Sequence, residues 1–423
     1  MHELEEWNLR EKYGKTIPST SYITHGIHPY TAKLIPHIPR YLISKYSKEN
    51  ELVLDGFCGS GTTLLEAMLL SRNAIGIDIN PLAILISKVK TTPLDIEETS
   101  SSIALLKKII KENNQIDCVK FPNINHWFCP EAQNELSQIR FCLLNSENKF
   151  DPDIYRFFLV CFSSIIRKSS NADPRMAKTY RSKRILEKIA KGWIPTPIKY
   201  FEEALDRNFE KIKSFLEVQR LKNTYVKAFE GDAKRTPDIL QLNEISTPDL
   251  IITSPPYINA QDYFRSYKLE LYWLGLAMPE DISFLRRQTI GNDYVSGFDR
   301  DSIPISTDPV LEKILSKIWN NGQKSSNEKS YVVSKYFWDM QDVMDKLYEV
   351  LKPNGYFCLI TGNNTICGVE IPTYKILINI ADRIGFSLIK VGRDMIMNRS
   401  LPPRRKHIGG IIKEEWITIF QKR

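Results

Sequence analysis

Two stretches carry residue types and spacings suited to chemistry. In the first, Leu250-Ile251-Ile252 runs directly into Thr253-Ser254-Pro255-Pro256-Tyr257. An apolar strand that stops at two prolines ends in a rigid loop without backbone donors at those positions, and α/β sheets bind ligands at the carboxyl ends of their strands. In the second, Glu51 to Asp55 reads as a short buried strand. Gly56-Phe57-Cys58-Gly59-Ser60-Gly61-Thr62-Thr63 and an apolar helical run from Leu64 to Leu70 follow it. Strand, glycine turn and helix form the first unit of a nucleotide-binding α/β fold. The glycines let backbone approach a ligand that a Cβ would block, and the helix start offers free N–H groups. The next strand, 74–79, puts Asp78 near its tip, 17 residues beyond Gly61, where a carboxylate can accept both hydroxyls of a ribose. A dinucleotide fingerprint built on Gly59 and Gly61 wants a third glycine where Leu64 stands, which points to a nucleoside with a smaller tail. Gly231-Asp232, just past a strand at 225–229, reads either as an acceptor for an adenine amino group or as a surface turn.

The elements that must position these residues follow from pattern. With 423 residues, 42% of them hydrophobic and 26% charged, the chain can bury a sizeable core in one large domain with insertions or in two domains. Residues 1–20 show little periodicity and read as a loosely packed arm. His28 to Ile43 is a proline-punctuated loop leading into a helix, and 21–95 form the half of the sheet with the glycine turn. From 96 to 222 the pattern is helical, with Ile103, Leu106, Ile109 and Ile110 on one face and Phe201, Leu205, Phe209, Ile212 and Leu216 on another. That is too long for a crossover and reads as an inserted helical subdomain, with Trp127, Phe128 and Trp193 in its core. The sheet returns over 223–423, interrupted by an irregular insertion at about 263–332. A helix at 339–351 and strands at 356–360, 387–391 and 416–420 complete it.

Charge is uneven. The net value is +8, and between Arg167 and Lys191 nine Lys and Arg face two acids, Asp173 and Glu187. Such a run is either a solvated helix face or a contact for a polyanion, from whose phosphates clustered cations release counterions. Arg399, Arg404, Arg405 and Lys406 form a second small cluster around Pro402-Pro403. The seven cysteines are scattered without Cys-x-x-Cys spacing, so neither a disulfide framework nor a zinc site is suggested. No apolar run is long enough to span a bilayer and the N-terminus is acidic, so the expected compartment is the cytoplasm.

Asp55 to Thr63 resembles the S-adenosylmethionine loop of DNA amino-methyltransferases, commonly Asp-Pro-Phe-x-Gly-Ser-Gly-Thr-Thr, with Gly56 departing from the usual proline in a way expected to loosen the loop. Thr253 to Tyr257 is similar to that family's catalytic loop, in the Ser-Pro-Pro-Tyr form of enzymes that methylate cytosine N4; adenine-N6 enzymes more often carry Asp or Asn at the position of Ser254. His28 to Lys33 is similar to the element that closes over the methionine part of the cofactor. The resemblance covers roughly 20–85 and 225–423 and leaves the helical insertion unmatched. It implies a Rossmann-like class I methyltransferase fold: α/β, with a mixed sheet of about seven strands and a helical insertion. S-adenosylmethionine is the implied cofactor, held by His28, Tyr30, Lys33, Asp55, Phe57, Gly59, Gly61, Thr62, Thr63, Asp78, Ile79 and Asp232. Double-stranded DNA is the implied substrate, with backbone contacts from Arg167, Lys178, Arg181, Lys183, Arg184, Arg404 and Arg405. A restriction endonuclease acting on the same site is a further expected partner.

The chemistry explains such a loop. An exocyclic amine is a poor nucleophile because its lone pair is delocalised into the ring, so acceptors held still must draw its protons away. Under the resemblance, the catalytic set is Ser254, Pro255, Pro256 and Tyr257. The Ser254 hydroxyl and Pro255 carbonyl accept the two protons, Pro256 stiffens the turn, and Tyr257 stacks on a flipped base. A cytosine-C5 enzyme needs a Cys nucleophile, usually after proline, and the chain has no Pro-Cys. Adenine-N6 methylation, guanine-N2 methylation of tRNA, and nucleic-acid binding without catalysis remain as alternatives.

Overall fold

The computed structural model describes residues 4–14, 17, 19–219, 224–258, 262–293, 295, 299, 301–396, 412 and 414–423. Its centre is an eight-stranded mixed sheet of order β1-β9-β10-β6-β5-β2-β3-β4, formed by β1 (Leu4–Trp7), β2 (Leu52–Asp55), β3 (Asn73–Asp78), β4 (Val226–Glu230), β5 (Leu250–Thr253), β6 (Tyr356–Thr361), β9 (Phe386–Met395) and β10 (Glu414–Lys422). Only β10 runs antiparallel to its neighbours. A small hairpin of β7 (Asn364–Ile366) and β8 (Val369–Ile371) lies apart. The central strands β2 and β5 are buried along their whole length, as parallel strands covered on both faces must be, which is why they read as unbroken apolar runs. This is the class I methyltransferase topology, with the strand sequence reversing direction between β2 and β5. Their carboxyl ends part there, and the Thr253 hydroxyl bridges the gap by donating to Asp55 Oδ1 at 2.8 Å.

One face of the sheet is covered by α1 (Leu9–Tyr13), α2 (His37–Tyr46) and α3 (Thr62–Leu69), which share a core with Val53, Ala74, Leu250 and Ile252. On the other, α11 (Thr236–Leu242), α14 (Pro309–Trp319), α15 (Ser326–Val350) and α16 (Thr373–Ile384) pack on Leu54, Ile75, Ile251 and Phe357. The region read as a helical subdomain holds α5 (Ile96–Glu112), α6 (Ile124–Trp127), α7 (Pro130–Leu144), α8 (Pro152–Ile166), α9 (Lys183–Ala190) and α10 (Pro197–Gln219). It has no core of its own: Phe157, Phe158, Phe162, Phe201 and Leu205 belong to one cluster with Leu82 and Ile86 of α4 (Pro81–Thr91) and with Tyr267 and Trp273 of α12 (Tyr263–Leu274). At about 1.5–3 kcal/mol for each fully buried aromatic side chain, that shared core fixes the insertion against the cleft rather than leaving it tethered. Phe128 is in this core, whereas Trp127 and Trp193 are only half-buried.

Three expectations are corrected. Residues 4–13 are not a loose arm: β1 adds an eighth strand beside β9, with Leu4 opposite Val391 and Trp7 opposite Asp394. Trp7 packs edge-on against Tyr41, and Lys390 pairs with Glu5. The sheet therefore exceeds the expected seven strands, since a four-residue segment gains its partner only from the far end of the chain. The stretch at 263–332 is not irregular either, for it contains α12, α13 (Pro279–Gln288), α14 and the start of α15. Asp308 caps α14 by accepting from Val310 and Leu311 N–H groups at 2.9 and 3.0 Å, Pro309 opens it, and Leu311, Ile314, Leu315 and Ile318 are its buried stripe. Among the described residues no helix is long and apolar enough to cross a membrane.

Candidate active site

The carboxyl ends of β2, β3 and β5 open into a cleft. Its lining brings together Tyr30, Lys33, Asp55, Phe57, Gly59, Thr62, Thr63, Asp78, Ile79, Asp232, Ser254 and Pro256 from the predicted set. Gly59 has φ +49°, and a Cβ there would sit 3.6 Å from the Tyr30 ring, so the glycine is needed for the turn more than for space. Asp78 holds the loop in place: its two carboxylate oxygens accept the N–H groups of Gly59 and Asn80, each at 2.9 Å. Burial pushes Asp78 and Asp55 up to about 6, and backbone N–H donors oppose that rise in both. Asp232 accepts from the Lys234 N–H at 3.0 Å and faces the cleft from the turn after β4.

Four predicted residues lie elsewhere. His28 is buried behind the cleft, where its Nδ1–H donates to the Pro29 carbonyl at 3.0 Å and its Nε2 accepts from Ser163 of α8 at 2.9 Å. Burial drives its pKa down to about 3, so it is a neutral anchor for the loop rather than a ligand contact. Gly61 caps α3 with φ +74° and abuts α4, where a Cβ would come 2.8 Å from Ser87 Oγ. Pro255 is buried beneath the loop. Tyr257 lies beside Gly362, whose Cβ, if present, would come 2.9 Å from the Tyr257 ring, and its hydroxyl donates to Glu415 Oε1 at 3.4 Å. Burial and then Asp394 push Glu415 up to about 7.

Several lining residues escaped the sequence reading: Ser60, Asn80, Tyr263, Phe264, Thr289 and Ile290. Asn80-Pro81, an N-cap followed by proline at the first helical position, was a readable signal: the Asn80 side chain accepts from Leu82 N–H and donates to the Tyr30 hydroxyl at 3.2 Å. Tyr30 in turn stacks on Tyr267, centroids 4.8 Å apart, and more distantly on Tyr263 at 6.2 Å. That ladder ties the His28 to Lys33 segment to α12, and no local pattern announces a contact across more than 230 residues. Gly56 was expected to loosen the loop, but Asp55 Oδ1 accepts the Phe57 N–H at 3.1 Å and closes the turn around it. A Cβ at Gly56 would meet only Leu347 and Ala233 at 3.7 and 3.8 Å. Gly56→Ala is therefore expected to raise stability by about 0.4–1 kcal/mol in urea unfolding, through lost freedom of the unfolded chain, with cofactor affinity unchanged.

The basic segment is less uniform than its composition. Lys178 and Lys183 are exposed. Arg184 is bound to buried Asp173 at 2.7 Å, Arg175 to the same carboxylate at 3.3 Å, and Arg181 to His126 Nδ1 at 3.2 Å. Burial raises Asp173, yet hydrogen bonds from Arg184, Ser182 and Arg175 outweigh it and hold the acid well below the usual carboxylate range. Arg167 was expected on the DNA and is instead interior. It donates to the carbonyls of Met176, Ala177 and Ser266 and sits 3.5 Å from Glu270, with its side chain 11% exposed. Arg404 and Arg405 lie outside the described residues. Thr179 bonds the carbonyls of Arg265 and Ser266 at 3.0 and 3.2 Å, so the segment is attached within one turn of Tyr263 on the cleft wall.

Residues 5–89 match a family model described as DNA methylase. Type II methyltransferase M.MvaI of Kocuria varians is 25% identical over 413 residues, covering 91% of this chain and 87% of that one. M.BsoBI of Geobacillus stearothermophilus is 25% identical, with 99% and 92% covered, and M.AvaI of Nostoc sp. is 27% identical, with 83% and 76% covered. With the topology and the cleft, these matches identify an α/β class I methyltransferase that uses S-adenosylmethionine as methyl donor. Within that class, the matches support an amino-methyltransferase similar to the N4/N6 DNA methylases. The cleft suits the cofactor: Asp78 and Asp232 offer acceptors to a nucleoside.

Proposed function

We propose that the protein transfers a methyl group to the exocyclic N4 amine of a cytosine swung out of duplex DNA. Supporting this reading is Ser254, which stands at the cleft rim on the carboxyl end of β5 where enzymes of the adenine-N6 type more often have an acid or amide. When bound, the cofactor supplies an electrophilic sulfonium methyl. The chain's own part is to hold acceptors at the amine. Thr253 is pinned to Asp55 and Pro255 is buried, so the Ser254 hydroxyl meets the amine without reorganising. Tyr257, tethered through its hydroxyl to Glu415, offers a fixed ring for the extruded base. The Type II names of the relatives support a role in restriction and modification, alongside an endonuclease of the same specificity.

The test is to incubate the protein with S-adenosylmethionine and mixed-sequence duplex DNA, digest to nucleosides and weigh the product. N4-methyldeoxycytidine is expected. N6-methyldeoxyadenosine would overturn the choice of base while keeping fold, cofactor and loop, and no methylated deoxynucleoside would turn the search to RNA. The exposed lysines of the basic segment are assigned to the DNA backbone. Lys178→Ala with Lys183→Ala should weaken DNA binding at all sequences alike and reduce the slope of log K against log salt by about 2. An unchanged slope would remove them from the interface.

A further inference from the structure

Behind the glycine loop lies a buried group of charges. Lys90, near the end of α4, is 1% exposed, and its Nζ lies 3.3 Å from the hydroxyl of Ser60, which lines the cleft. The Thr24 hydroxyl donates to the Lys90 carbonyl at 2.8 Å and fixes that end of the helix. Lys33, on the cleft wall, donates to the His25 carbonyl at 2.8 Å. The carboxylate whose charge acts on Lys90 is Glu66, fully buried, and it is already engaged by Tyr22, by His25 at 2.9 Å and by Arg40 at 3.2 Å. Among the described residues, neither Lys90 nor Lys33 has a carboxylate partner. A charged amine in the interior without a partner is costly, so it rests neutral unless an anion stands beside it to favour the charged form.

We propose that Lys90, held against Ser60, is the buried counter-charge for the carboxylate at the methionine end of the cofactor, with Lys33 completing the subsite at the cleft wall. The assignment rests on the cofactor alone and is independent of which base is methylated. Acceptors at Asp78 and Asp232 and donors at Ser60 and Lys33 line the cleft, with Lys90 directly behind Ser60, and together they match a ligand with hydroxyl and amino donors in one part and an anion in another.

A dependence on pH follows. Burial first, and then Lys33, depress Lys90 well below the ordinary lysine range, and burial followed by Lys211 brings Lys33 to about 8. Of the other facing groups, burial keeps His25 neutral, pushes Glu66 up to about 7 and raises the Cys58 thiol, while Arg40 stays on Glu66. A base whose pKa is depressed is increasingly neutral above that pKa, and a bound anion favours its charged form, so binding at pH 8.5 should take up protons.

Calorimetric titration tests this, with S-adenosylhomocysteine and its decarboxylated analogue in two buffers of different ionisation enthalpy. Lys90→Met should weaken the carboxylated ligand about 10- to 100-fold and the decarboxylated one less than about threefold. Equal losses for both ligands would make Lys90 a structural support and overturn the proposal, as would no loss for either. Lys33→Met gives a reading that does not require Lys90→Met to fold: proton uptake with the carboxylated ligand should persist in it and vanish with the analogue. Its absence with the carboxylated ligand overturns the assignment.

Discussion

Ser254→Ala is expected to slow methyl transfer by about 10²- to 10³-fold, or about 2.7–4 kcal/mol of transition-state stabilisation, which is the size found when one preorganised polar partner is removed from a site. The reason is positional. Ser254 follows directly on a strand buried at every residue, its neighbour Thr253 is fixed to Asp55 at 2.8 Å, and Pro255 is packed beneath. A hydroxyl on so fixed a backbone needs no rearrangement to accept a hydrogen bond from the amine, and water admitted in its place is not oriented. Single-turnover rates with saturating DNA and cofactor measure the effect, and cofactor affinity by titration should stay within about threefold because Ser254 is one of many lining groups. A fall in cofactor affinity as large as the fall in rate would assign Ser254 to cofactor binding instead.

Arg167→Ala should act on the fold and not on the DNA. The guanidinium serves three carbonyls and the Thr179 hydroxyl at the junction of α8, the basic segment and α12, and lies over the Tyr267 ring at 5.8 Å. Glu270 is 3% exposed and raised by its burial, with Arg167 opposing the rise. Truncating the arginine leaves that acid interior without its cation, a change that costs about 3–5 kcal/mol. Chemical unfolding should show this loss, while DNA bound by the folded fraction keeps the wild-type salt slope. The opposite pattern, full stability with a flattened slope, would return Arg167 to the DNA interface. Neighbouring Lys183, exposed, should give that opposite pattern, so two residues of one basic run separate cleanly.

What could be read from the sequence were features decided within a few residues. The apolar runs at 52–54 and 250–252, the turn glycines with their φ of +49° and +74°, and the acid at the tip of β3 are local consequences of burial and backbone geometry. Their order along the chain already implied a parallel sheet with its ligand at the carboxyl ends. Even the stripe of α14 is present in the sequence, masked by the polar residues around it that dominate the composition. Tertiary structure decided which partner each side chain took. Composition gives Arg167, Arg184 and Lys183 one character, yet packing turns the first inward onto Glu270, pairs the second with Asp173 and leaves the third exposed. Likewise β1 is a strand because Val391 to Asp394 lie beside it, and Lys90 is an unpaired interior amine because Glu66 is already occupied by Tyr22, His25 and Arg40. Periodicity fixes which face of an element is apolar. The identity of the group opposite that face comes from segments up to several hundred residues away, and only the assembled chain brings them within bonding distance.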